Sequence, residues 1–122
     1  MEPKIFSPEI NYPGGPIGVL VIHGFTSSPS GVEYWAKGLA ENGYTVKVPR
    51  LPGHGTNIKD CNASSYEDWL ATVTKSFFDL KEKCQKVFVA GFSVGGALAL
   101  RLEQLHPKQI SGLLLINASI FD

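Results

Sequence analysis

Ser93 stands in the stretch Gly91-Phe92-Ser93-Val94-Gly95, followed by Gly96. A serine with small residues on both sides fits a sharp turn that exposes its hydroxyl. An exposed and oriented hydroxyl can attack a carbonyl carbon. Such a turn strains the serine backbone, which small neighbours permit. A helix starting directly after it would offer unpaired N–H groups, Val94 first, to a developing oxyanion. With 13 glycines in 122 residues, the pattern arises by chance in roughly one chain in ten, so alone it is weak. The competing reading is a serine that merely caps the helix, with the glycines forming a packing turn.

A second stretch bears on the first. "VIHGFTSSP" (21–29) places His23 and Gly24 at the end of an apolar run, with a loop beyond. Acyl transfer needs two N–H donors aimed at one oxygen, and Phe25 sits where the second would come from.

Both motifs depend on the elements that carry them. "IGVLVIHG" (17–24) reads as a buried strand. Ser30 can cap a helix running to about Asn42, with Val32, Trp35 and Leu39 on one face and Gly43 as the stop. "YTVKVP" (44–49) is a second strand. After Ser64 or Ser65 a longer helix carries Tyr66, Trp69, Leu70, Val73, Phe77 and Leu80 at helical spacing. "KVFVAGF" (86–92) is the third strand. The helix after it places Ala97, Leu98, Arg101, Leu102 and Leu105 together and ends before His106-Pro107. "SGLLLINAS" (111–119) is the fourth strand. Strict alternation of helices with strands that are apolar on both faces predicts an α/β fold, a mostly parallel four-stranded sheet with helices on both faces. If the second and third strands flank the first, Ser93 and Phe25 share the crevice at the switch point.

Composition narrows the function. The 11 basic and 11 acidic residues cancel, and no basic stripe suggests nucleic acid as a partner. No apolar run approaches the roughly twenty residues of a membrane span. The start "MEPKIFSPEINYPGGP" lacks a signal-peptide core, and Cys61 and Cys84 have no disulfide or zinc spacing. A reduced, cytoplasmic protein is expected. Cys84 reads as a buried or half-buried thiol, and Arg101 and Lys108 as surface charges. No metal or organic cofactor is indicated. A phosphate loop is disfavoured, because neither GxxxxGK[ST] nor the GxGxxG spacing occurs.

In order, "LVIHGFTSSP", "GYTVKVPRLPGHGT", the "YEDWL" helix, "GFSVGG" and "LLLINAS" resemble the N-terminal half of an α/β-hydrolase-fold serine esterase. They are most similar to the bacterial carboxylesterase and monoacylglycerol lipase group, over about residues 17–119. The resemblance implies that Ser93 is the nucleophile, that Phe25 and Val94 give the backbone oxyanion donors, and that His23 and Gly24 shape the oxyanion loop. Gly91 and Gly95 flank the nucleophile turn. The implied activity is hydrolysis of small apolar acyl esters through an acyl-enzyme. Phe25 and Phe92 suggest an apolar acyl pocket, or equally a piece of core. Serine peptidases and thioesterases share the elbow.

Such catalysis needs an imidazole base and an orienting carboxylate. His23 closes a buried strand, and His54 lies in "PGHGT", a structural turn in the family the chain resembles. His106 falls at the far end of the helix after Ser93, roughly 20 Å away at 1.5 Å per residue. In that family the acid and histidine come later in the chain, usually after a cap. Asp122 matches the minority position for the acid but reads more simply as a loop residue, and Asp60 and Asp68 as solvent-facing or capping residues. The expectation is one partial α/β-hydrolase core over 1–122, ending before the cap and the acid and histidine segment. Alone it would be nearly inactive, with the edge of "GLLLI" open to self-association. The alternative of another class is a non-catalytic fragment or interaction module of the same descent.

Overall fold

The computed structural model describes residues 8–24, 29–52 and 65–116. The described strands are β1 (Ile10–Tyr12), β2 (Ile17–Ile22), β3 (Thr45–Val48), β4 (Lys86–Phe92) and β5 (Gly112–Ile116). The described α-helices are α1 (Glu33–Glu41), α2 (Tyr66–Lys83) and α3 (Val94–Leu105). They form one sheet in the order β1-β3-β2-β4-β5, parallel throughout except for β1, which runs antiparallel to β3.

β1 is a correction to the four strands expected. Its three residues precede a Pro-Gly-Gly-Pro run that reads as loop, and so short an edge strand leaves no periodic signal. Its pairing is held from outside: Lys47 reaches Glu9 at 3.3 Å and Asn11 at 3.1 Å. Gly15 donates its N–H to the Gly43 carbonyl at 2.8 Å.

Alternation along β2 explains the three layers. Leu20 and Ile22 point into one core with Trp69, Val73, Phe77 and Leu80 of α2 and Leu98, Ala99 and Leu102 of α3. Val19 and Val21 point into the opposite core with Val46 and Val48 of β3 and Ala36 of α1. Fully burying such side chains stabilises the fold by about 1.5–3 kcal/mol each. Cys84 is buried, with its Sγ over Gly18.

The helix starts differ. α2 opens with a reciprocal capping box: the Asp68 N–H donates to Ser65 Oγ at 3.3 Å, and the Ser65 N–H donates to the Asp68 carboxylate at 3.2 Å. Asp68 is therefore a capping residue. Ser30 does not cap α1; it lies in a 3₁₀ turn over Pro29–Val32, and Val32 occupies the cap position without a side-chain bond. Gly43, at φ +92°, ends α1 as expected. Trp35, Tyr66 and Leu105, which helical spacing groups with Val32, Trp69 and Leu102, are exposed. Helical spacing marks a face correctly but cannot say how far its neighbours cover it.

Candidate active site

β2 and β4 lie side by side, with Ile22 opposite Gly91, and β3 lies on the other flank of β2. After β2 the chain crosses to the face covered by α1; after β4 it crosses to the face covered by α3. Their carboxyl ends therefore diverge at the switch point, and Ser93 is the first residue past β4.

Ser93 adopts φ 57° and ψ −120°, and its side chain makes no capping bond to α3. A helix cap normally takes extended backbone and bonds the first turn through its oxygen; Ser93 does neither. A non-glycine residue in this region carries about 1–3 kcal/mol of strain, sustained by the contacts around it. Those contacts are to backbone. The Ser93 N–H donates to the Ile116 carbonyl at 3.0 Å, and the Gly96 N–H donates to the Ser93 carbonyl at 2.9 Å. Val94 begins α3, so helix geometry gives its N–H no partner within the helix.

The glycines are explained by what a Cβ would strike. At Gly91 it would run into the Gly95 carbonyl, and at Gly95 into the carbonyls of Ile22 and His23. The first turn of α3 thus seats directly on the end of β2. Across the crevice, a Cβ on Gly24 would lie 3.1 Å from Ser93 Cβ and 3.8 Å from Ser93 Oγ. The structure therefore brings Ser93, Val94, Gly91, Gly95, His23 and Gly24 to one place. Phe25, Asp60, Cys61, His54 and Asp122 lie outside the described residues.

His23 is buried, and both ring nitrogens are engaged. The Leu51 N–H donates to Nε2 at 3.1 Å, which fixes the proton on Nδ1, 3.0 Å from the Gly24 carbonyl. The ring ties the loop after β2 to the loop after β3 and is not disposed to take a proton from Ser93. His106 ends α3, its ring edge-on to Phe78 at 5.0 Å. The 12-residue helix separates it from Ser93 by roughly 18 Å. Phe92 packs with the α1-side core, 5.8 Å between its ring centre and that of Trp35, so core is the better of its two expected roles. The anchoring Leu51 amide and Ile116 carbonyl were not foreseen; a backbone contact leaves no trace in residue type.

With this geometry, the serine aminopeptidase S33 family model matches the chain over residues 17–121. The chain belongs to that family. Its sheet and helices match the N-terminal part of the α/β-hydrolase fold. The chain is similar to a thermostable monoacylglycerol lipase of Bacillus sp. (strain H-257), 45% identical over 106 residues, 87% of this chain and 42% of that protein. A carboxylesterase of Bacillus subtilis (strain 168) is 33% identical over 106 residues, 85% of this chain and 43% of that protein. A solved structure from the metagenome-derived lipolytic enzymes LipS and LipT superposes with a TM-score of 0.91 at 40% identity, covering 95% of this chain and 47% of that one. The chain thus spans less than half the length of these relatives, and the family it joins is of esterase and lipase type.

Proposed function

We propose that the protein is a carboxylic ester hydrolase in which Ser93 attacks the ester carbonyl. The observation that carries this reading is the strained turn at Ser93, φ 57° and ψ −120°, placed against Gly24 and without a capping bond. Strain of this kind, held in a crevice by glycines, fits a hydroxyl kept exposed for attack.

In the proposed reaction Ser93 Oγ bonds to the carbonyl carbon while its proton passes to a base. The N–H groups of Val94 and Phe25 stabilise the oxyanion; the alcohol leaves with a proton, and water then hydrolyses the acyl-enzyme. Neither described histidine serves as that base: one is occupied between Leu51 and Gly24, and the other closes the far end of α3. The base and its carboxylate are assigned to the part of the fold that the relatives have beyond the matched segment. Without that part, these 122 residues would be a poor catalyst, as loss of the base in a triad costs roughly 10⁶-fold in kcat.

An acyl-enzyme also serves amide hydrolysis, and the family's description as a serine aminopeptidase favours that second reading. The names of the monoacylglycerol lipase and carboxylesterase relatives favour esters. Turnover of p-nitrophenyl esters against aminoacyl p-nitroanilides by the full-length protein separates them. Ester turnover that disappears in Ser93→Ala supports the proposal, whereas ester turnover that survives the substitution refutes it.

A further inference from the structure

The first turn of α2 carries Trp69, fixed there by the Ser65–Asp68 capping box and by its own backbone N–H, which donates to the Ser65 carbonyl at 3.1 Å. Its side chain is buried in the core shared with Leu51, Phe77 and Leu98. Packing alone asks only for a large apolar ring at this position. The indole adds a donor, and its Nε1–H donates to the Pro52 carbonyl at 3.1 Å. A buried indole N–H generally finds some acceptor; what distinguishes this one is where the acceptor stands. Pro52 follows Leu51, whose N–H donates to His23 Nε2 at 3.1 Å, and His23 Nδ1 lies 3.0 Å from the Gly24 carbonyl.

These bonds run in one chain from α2 to the loop after β2. The proline ring locks φ at Pro52 and confines Leu51 to extended backbone, and the Leu51 side chain is fully buried. The dipeptide is therefore a stiff unit, and holding the Pro52 carbonyl holds the Leu51 N–H on the His23 ring. With Nε2 accepting, the ring carries its proton on Nδ1 and donates it to the Gly24 carbonyl. A carbonyl and the N–H of the same peptide lie in one plane and point opposite ways. Fixing the Gly24 carbonyl thus fixes the direction of the next N–H, the Phe25 donor of the proposed reaction. Were the Leu51 donor withdrawn, the ring proton would be free to move to Nε2. The lone pairs of Nδ1 and of the Gly24 carbonyl would then face each other across 3.0 Å.

We propose that Trp69 is a positioning residue for ester hydrolysis: through Pro52 and Leu51 it keeps the His23 proton on Nδ1 and so orients the peptide after Gly24 toward the oxyanion. The proposal rests on the proposed roles of Ser93 and Phe25. Loss of a whole oxyanion donor costs about 100- to 1,000-fold in kcat, and a donor kept but loosened is expected to cost about tenfold.

The test exchanges the Trp69 indole N–H for sulfur, by benzothienylalanine at that position in the full-length protein, which keeps the ring system and its packing. For a p-nitrophenyl ester, kcat is expected to fall about tenfold with KM nearly unchanged, because the oxyanion forms only in the transition state. Proton–nitrogen correlation spectra of histidine-labelled protein give the second readout, with the His23 signals identified by their loss in His23→Gln. They should show the His23 proton on Nδ1 alone in the parent and shared between Nδ1 and Nε2 in the analogue. Trp69→Phe, which also lacks the donor, should reproduce both changes; a role in packing alone would lower its urea midpoint and leave the His23 proton in place. An unchanged kcat in the analogue overturns the proposal, and so does a reduced kcat with His23 still protonated on Nδ1 alone. Failure of the underlying reading looks different: ester turnover then survives Ser93→Ala, whatever happens at Trp69.

Discussion

At the scale of single residues, the site is organised by what cannot be larger than glycine. Gly24 lies against Ser93, so Gly24→Ala places a methyl group 3.1 Å from Ser93 Cβ and 3.8 Å from its Oγ, in the way of the carbonyl in the proposed reaction. A displacement of about 1 Å at a reacting centre can cost roughly 100-fold. Gly24→Ala is therefore expected to lower kcat/KM for a p-nitrophenyl ester by about that factor in the full-length protein, with its circular dichroism unchanged. An unaltered kcat/KM would mean that the substrate does not approach past Gly24. His23 acts differently, as a buried tie. His23→Phe leaves the Leu51 N–H and the Gly24 carbonyl without the ring they now meet, and each unmet buried group costs about 1–3 kcal/mol. Urea denaturation should show a loss of that order. Residue types made the sharp turn at Ser93 legible, because such a turn selects glycine on either side of it. The sequence could not show that Ser93 leaves its cap role unused, because backbone torsion is settled by contacts from Ile116 and the end of β2, residues distant in the chain.

Among the elements, those with strong internal signals were read closely. β4 falls on the residues expected, Lys86–Phe92, because it is a long apolar run ending in glycine and serine turn chemistry. α2 starts where Ser65 and Asp68 close a capping box, a signal local to four residues. Ser65→Ala should cost about 1 kcal/mol, read as a lower urea midpoint with an unchanged slope. A change below about 0.3 kcal/mol would mean that packing of Trp69 and Phe77, and not the cap, sets that end of the helix. The failures share one cause. β1 is three residues long and is defined by its partner β3, and α1 begins from a 3₁₀ turn and not from a Ser30 cap. Where tertiary contacts make the element, local sequence carries little of it. The glycine contact between α3 and β2 also has a mechanical meaning: Gly95→Ala must push the helix off the Ile22 carbonyl. Overpacking of this kind costs about 1–3 kcal/mol or more, and it would move Ser93 with the helix.

For the molecule as a whole, the two sheet edges are treated differently. β1 is short, flanked by Pro8 and Pro13, and carries the Glu9, Asn11 and Lys47 polar cluster. These are devices that keep an edge from pairing further. β5 has one strand neighbour among the described residues, no charge, and an apolar face left open beside α1. The chain spans less than half the length of the monoacylglycerol lipase and carboxylesterase it matches. Under the proposed reading, Ser93 and the Val94 donor stand on this part of the fold and the base on another. The account stands or falls on Ser93. The most direct measurement treats the full-length protein and its Ser93→Ala variant with a fluorophosphonate and maps the adduct by peptide mass. One adduct per molecule on the peptide holding Ser93, absent from the variant, is the predicted result. An adduct that persists in Ser93→Ala, or maps to another residue, would contradict it.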